Sequence, residues 1–247
     1  MITRYTITLS HKDSVEKLPQ SISYALYSDL LRMIEVEYGE KLHEQGVTPL
    51  SLYISFCKDG TVLWNVSLLN SVTTEAFSPI LENTPRYTIF DRNTQFDVLT
   101  IKTESISYSD ILQNAAITSP KRTALEFVSP TSFKSAGKYV IFPTTDLILR
   151  NLVKSWNSVC PNYPLEDEDS LALLCSGVEI HSYQMSSAYF RLKGAAIPAF
   201  RGKLYLSTKL SQPMYTLLQT LLQFSEYSGI GIKTALGMGG VRRLIDA

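Results

Sequence analysis

The chain has 247 residues, of which 45% are hydrophobic, enough for one large or two small domains with packed cores and too apolar for disorder. Its formal net charge is zero, so no global field advertises nucleic-acid binding, and no apolar run approaches the roughly 18–20 residues of a membrane span. Three scattered cysteines (Cys57, Cys160, Cys175) and three dispersed histidines (His11, His43, His181) give no zinc template, and an odd cysteine count without a leader points to a reducing cytoplasm.

Ile2 to Leu9 alternates and predicts a strand. Pro19 then opens a helix, with Ile22, Leu26, Leu30, Met33 and Ile34 at helical spacing to about Val36. Leu50 to Phe56 and Thr61 to Leu69 are strands joined at Lys58-Asp59-Gly60, an Asp-Gly hairpin turn. A second helix fits Val72 to Leu81, and Tyr87 to Ser107 is a strand or hairpin. The order is β-α-β-β-α-β, the ferredoxin-like arrangement. Ser109 to Lys121 reads as a connection. A second series follows, with strands at Ala124 to Ser129 and Lys138 to Phe142. A helix is marked by Ile148, Leu149, Leu152, Val153 and Trp156. The acidic run Glu166 to Asp169 is a solvated loop or helix start. Strands at Val178 to Leu192 and Gly202 to Ser207 precede a helix marked by Met214, Leu217, Leu218, Leu221 and Leu222, and a last short strand starts near Met238. The expectation is an α+β chain of two tandem ferredoxin-like units, residues 1–115 and 116–247.

Charge is unevenly spread. Residues 180 to 243 carry eight Lys or Arg (among them Arg191, Lys193, Arg201, Lys203 and Lys233) against one acid, Glu226, a local +7 that the rest of the chain balances. Such a region can make a local binding field, or be ordinary solvated surface. Within it, Gly229-Ile-Gly231 and Gly237-Met-Gly239-Gly240 flank five residues that include Lys233. Glycine lets backbone approach a ligand closely and adopt positive φ. Successive amides at Gly229, Gly231, Gly237 and Gly239 could cradle phosphate oxygens, with Lys233 adding charge. The alternative is a helix-to-strand connection with no ligand. Neither GxxxxGK[ST] nor GxGxxG is present, since Ile232 separates Gly231 from Lys233 and position 234 is Thr.

This glycine segment resembles the C-terminal signature of the RAMP superfamily, and the chain as a whole is similar to the endoribonucleases that cut precursor CRISPR RNA at its repeats. Leu125 to Lys134 with Gly137 to Pro143, Tyr189 to Lys193 with Ile197 to Lys203, and Phe224 to Gly240 carry the likeness. Their wording is most like members that accompany type III systems. The N-terminal half agrees in layout and in the Leu42-His43 pair. The resemblance implies two ferredoxin-like domains, no metal and no cofactor. It implies cleavage by a ribose 2′-hydroxyl on the adjacent phosphate, giving a 2′,3′-cyclic phosphate (or 3′-phosphate) and a 5′-hydroxyl end. Precursor CRISPR RNA is then the partner, with a type III effector complex as a transient one, in a prokaryotic cytoplasm and away from membranes.

That reaction needs a base, an acid and positive charge near the phosphorane. Histidine titrates near neutral pH and can serve either proton transfer. His43, between Lys41 and Glu44, matches the family's usual catalytic histidine. His11 lies in a polar N-terminal turn, and His181 sits among strand residues as a structural or RNA-contacting group. Family members add a tyrosine from the first helix, a part open to Tyr27 or Tyr24, and a lysine after the histidine. Here no lysine follows His43 before Lys58. Lys41, or a lysine from the other half such as Lys134, is the expected substitute. RNA phosphates are expected on Arg191, Lys193, Arg201, Lys203 and Lys233. A non-catalytic RNA-binding RAMP subunit is the alternative, and His43 favours the enzyme.

Overall fold

The computed structural model describes residues 1–11, 18–34, 48–89, 94–117 and 123–245. In chain order these form β1 (Ile2–Ser10), α1 (Ile22–Leu31), β2 (Leu50–Phe56), β3 (Val62–Leu68), α2 (Ser71–Asn83), β4 (Arg86–Ile89), β5 (Thr94–Ile106) and α3 (Tyr108–Ile117). The second half holds β6 (Thr123–Thr131), β7 (Phe133–Ser135), β8 (Lys138–Val140), α4 (Thr145–Val159), α5 (Glu168–Ser176), β9 (Val178–Leu192), β10 (Ala195–Thr208), α6 (Gln212–Ser228) and β11 (Val241–Ile245).

The first sheet has the order β2-β3-β1-β5-β4, and the second β11-β6-β10-β9. Every recorded pairing in both is antiparallel. Each sheet places its first strand beside its third and its last, the ferredoxin-like order. The first unit extends it by one hairpin, because β4 pairs with β5 and forms the outer edge. The fold is thus α+β, two ferredoxin-like units in tandem.

Each unit has its own core. In the first, the buried positions of β1 (Tyr5, Ile7, Leu9) meet Ile22, Leu26 and Leu30 of α1, with Trp64 edge-on to Tyr87 at 5.1 Å. In the second, Trp156 of α4 is edge-on to Tyr108 and to Phe224, at 5.3 and 5.2 Å. Its indole N–H donates to the Tyr163 carbonyl at 2.7 Å, so the large ring is buried with its polar atom satisfied.

Two elements differ from the sequence expectation. The stretch read as a connection contains α3, whose Tyr108 and Ile111 join the second core. Its start is a reciprocal cap, with the Asp110 amide donating to Ser107 Oγ (3.0 Å) and the Ser107 amide to the Asp110 carboxylate (3.2 Å). α1 ends at Leu31, one turn before the apolar spacing stops. The acidic run is a helix start. Asp167 caps α5, accepting from the Asp169 amide and the Ser170 hydroxyl, and the Ser170 hydrogen bond holds its carboxyl below the usual range.

Candidate active site

A cleft of about 680 Å³ opens where α1 of the first unit meets α4 and the glycine segment of the second. Tyr24, Tyr27, Ser28 and Leu31 line it from α1, and Asn151, Lys154 and Ser155 from α4. Residues 231–236 complete it with Lys193 at the β9–β10 turn and Thr48. Among the described residues its charged lining consists of three lysines, Lys154, Lys193 and Lys233, and all three are exposed. Among the described residues none of them forms an ion pair. Uncompensated cations in a concave site raise the local concentration of an anionic ligand.

The glycine segment is folded against the protein. Gly229 ends α6 at φ +69°, and its amide donates to the Ser225 carbonyl at 2.9 Å. The amide of Ile230 donates to Gly239 O (2.9 Å), that of Ile232 to Ser132 O (2.9 Å), that of Gly239 to Pro130 O (3.1 Å) and that of Gly240 to Ser129 Oγ (2.8 Å). Asn151 clamps the Gly231 peptide from α4, its Oδ1 accepting from the amide at 2.7 Å and its Nδ2 donating to the carbonyl at 3.3 Å. The expected phosphate cradle is therefore corrected at Gly229, Gly231 and Gly239, whose N–H groups already have protein acceptors. These glycines serve close packing. A Cβ on Gly239 would strike the Ile230 carbonyl, one on Gly231 the Ser132 carbonyl, and one on Gly237 the Ser23 hydroxyl of α1.

The two units meet along a polar seam beside this segment. Arg4 of β1 donates to the Glu226 carbonyl, pairs with Glu104 at 3.2 Å and lies 4.1 Å from the Tyr227 ring centroid. Ser51 donates to the Tyr227 carbonyl, and Ser23 reaches the Leu236 carbonyl at 3.4 Å. Tyr53 packs where a Cβ on Gly240 would fall. Burial raises the Tyr53 phenol above its usual range, with Arg4 and Arg242 offsetting only part. It therefore stays neutral at working pH.

Residues 125–241 match the model of the family "CRISPR-associated endoribonuclease Cas6". A CRISPR-associated endoribonuclease Cas6 of Streptococcus thermophilus is 30% identical over 225 residues, spanning 90% of this chain and 91% of that one. The chain belongs to the Cas6 family of CRISPR-associated endoribonucleases. Two solved structures share its fold. One, a Cas6 product complex, has TM-score 0.80 at 22% identity, covering 99% of this chain and 100% of that one. The other, a Cas6 substrate mimic complex, has TM-score 0.77 at 21% identity, covering 98% and 99%.

In this Cas6-family enzyme the expected site residues divide into groups. Tyr27, Lys193, Gly231 and Lys233 come together in the cleft. Gly229, Gly237 and Gly239 are buried behind it. Arg191 is exposed on β9 outside the lining. Arg201 lies in a separate groove with Gln184, Ser186 and Arg242, and its guanidinium donates to the Val128 carbonyl at 2.5 Å. Burial pulls that guanidinium below its usual value without discharging it. Lys203 is half-buried on β10, opposite Gln184 and Glu126. His181 borders an apolar hollow with Phe142 and Tyr183, and His11 lies against Phe96 with ring centroids 5.4 Å apart. His43 and Lys41 lie outside the described residues. Asn151, Lys154 and Ser155 are not singled out by the sequence, because nothing in a helix's polar face says what it faces. Among the described residues no group of three His, Cys, Asp or Glu could hold a metal, and no helix is long and apolar enough to cross a membrane.

Proposed function

We propose that this Cas6-family endoribonuclease cuts precursor CRISPR RNA within its repeats, in the lysine-lined cleft, without a metal ion. The observation that carries the reading is the cleft itself, whose lining among the described residues has three cations and no carboxylate beside Tyr27. Such a set suits a phosphodiester, and the described lining offers no hard anionic oxygen to a divalent cation. Leu31 and Thr48, on either side of the stretch that includes His43, both line it. Four residues lie between His43 and Thr48, five steps along the chain and a reach of at most about 18 Å.

In this reading His43 is the acid–base group, Tyr27 borders the reacting phosphate and Lys41 adds charge on the N-terminal side. The 2′-hydroxyl loses its proton to the base as its oxygen bonds phosphorus. The phosphorus–5′-oxygen bond breaks, and the leaving oxygen takes a proton. The products are a 2′,3′-cyclic phosphate and a 5′-hydroxyl. Residues 1–115 supply the acid–base group and 116–247 hold the RNA, with α3 crossing that boundary. Lys193 and Lys233 contact phosphates in the cleft, and Arg191, Arg201 and Lys203 extend the cationic surface beyond it. A transient association with a type III effector complex and a reducing prokaryotic cytoplasm complete the proposal; the latter fits three free cysteines.

The test is incubation with a CRISPR-repeat RNA in EDTA, followed by end-group analysis. The expected result is full-rate cutting with a cyclic phosphate. His43→Ala is expected to cut about 10²–10⁴-fold more slowly and still bind. A strict requirement for Mg²⁺ would overturn the chemistry, and near-native cutting by the variant would remove His43 from it. Binding without cutting by the unaltered chain would instead make it an RNA-binding scaffold.

A further inference from the structure

The proposed reaction needs positive charge on the phosphate while it is five-coordinate, and the sequence places no lysine between His43 and Lys58. The second unit supplies a candidate. We propose that Lys154, on α4, is the cation that neutralises the phosphate being cut, reaching across the cleft from the unit opposite the acid–base group. The inference rests on the cleft being where RNA is cut.

The geometry of α4 carries the assignment. Asn151, Lys154 and Ser155 stand at i, i+3 and i+4, so they share one helix face, and all three line the cleft. The opposite stripe (Ile148, Leu149, Leu152, Val153 and Trp156) is buried in the second core, which fixes the helix's rotation. Thr144 caps the helix through the Leu147 amide at 3.2 Å. Asn151 ties it to Gly231 by two hydrogen bonds. Lys193 and Lys233 ride on turns at left-handed residues, φ +48° and +58°. Lys154 projects from the interior of a packed helix. Charge that must act without reorganising belongs on a rigid element. Lys154 is exposed, and among the described residues it has no carboxylate beside it in the lining and forms no ion pair.

In the step itself the bond from the 2′-oxygen to phosphorus forms and the bond to the 5′-oxygen breaks. The base takes the 2′ proton, and the acid gives one to the 5′-oxygen. Lys154 neither gains nor loses a proton. Its ammonium faces the non-bridging oxygens and offsets the charge that grows on them.

The experiment is single-turnover cleavage of a CRISPR-repeat RNA with protein in saturating excess, in EDTA, alongside affinity measured across a salt series. Lys154→Ala is expected to cut about 10²-fold more slowly at saturation, with the slope of log affinity against log salt shallower by about 0.7. Lys154→Arg is expected to recover most of the rate, and the melting temperature to stay unchanged because the side chain is exposed. Lys233→Ala runs beside it as the probe of the cleft. A native saturated rate for Lys154→Ala, with Lys233→Ala binding weakly, would overturn the Lys154 assignment and leave the cleft reading standing. Native rate and native salt slope in both variants would overturn both.

Discussion

Lys193 and Lys233 hold the backbone at positive φ, where glycine is the cheaper residue, and both side chains enter the same cleft. A left-handed conformation costs a non-glycine residue roughly 1–2 kcal/mol. A lysine kept there at that cost is explained by what its side chain does. Lys233→Gly is therefore expected to raise stability by about 0.5–1 kcal/mol in denaturant unfolding, while lowering RNA affinity and its salt slope by about 0.7. Unchanged affinity in a more stable variant would leave Lys233 a turn residue with no part in binding. Lys233 was legible in the sequence because it sits between two glycine pairs. Lys154 was not: it is one polar residue on an amphipathic helix, and only the packing of Trp156 and its neighbours on the other face reveals where it points. The glycine spacing predicts backbone donors, yet the amides of Gly229, Gly231 and Gly239 go to Ser225, Asn151 and Pro130. Spacing shows that a backbone approaches something closely, and not whether that something is a ligand or the protein's own chain.

Helix α4 connects the second core to the cleft, and what fixes α4 should fix the site. Its apolar stripe was plain in the sequence, as was the alternation that marks β1. The start of α3 was also written there, as Ser107 three residues before Asp110, a short-range signal easily lost in a polar stretch. The Asn151 clamp was not legible, because it joins residues 80 positions apart. Asn151→Ala removes both bonds to the Gly231 peptide and leaves a half-buried amide and carbonyl without their partner, a change of about 1–3 kcal/mol. The expected signature is local. Hydrogen-exchange protection should fall across residues 230–240, and cutting should slow, while the protection of β1 and β3 holds. Uniform loss of protection across both units would show the bond to be general scaffolding and not a brace for the cleft.

Cleavage in this reading draws its acid–base group from one unit and its cations from the other, so the chemistry depends on the seam between two separate cores. That seam combines polar contacts with a few apolar ones, since Ile2 and Leu69 reach the second core and Ala235 the first. Arg4 is its densest point, touching the Glu226 carbonyl, the Tyr227 ring and the Glu104 carboxylate, with its side chain only 16% exposed. Glu104 is 59% exposed, so the ion pair itself adds little. The carbonyl that loses its donor costs about 1–3 kcal/mol, and the cation over the ring adds about 0.5–2 kcal/mol. Arg4→Met keeps the apolar stem and removes these contacts, so a loss of roughly 2–4 kcal/mol is expected. Lys102→Ala, exposed on β5, serves as the control and should stay within about 0.5 kcal/mol. Each unit has a core of its own that shares a few residues with the other, so weakening the seam should also separate their transitions. Unfolding monitored by Trp64 and by Trp156, one tryptophan in each core, should coincide in the unaltered chain and diverge in Arg4→Met. Cutting should fall further than RNA binding, because the second unit can still hold RNA while the first no longer sits square to it. Coincident transitions and proportionate losses in Arg4→Met would mean that the units are coupled elsewhere, through Tyr108 and its hydrogen bond to the Leu69 carbonyl.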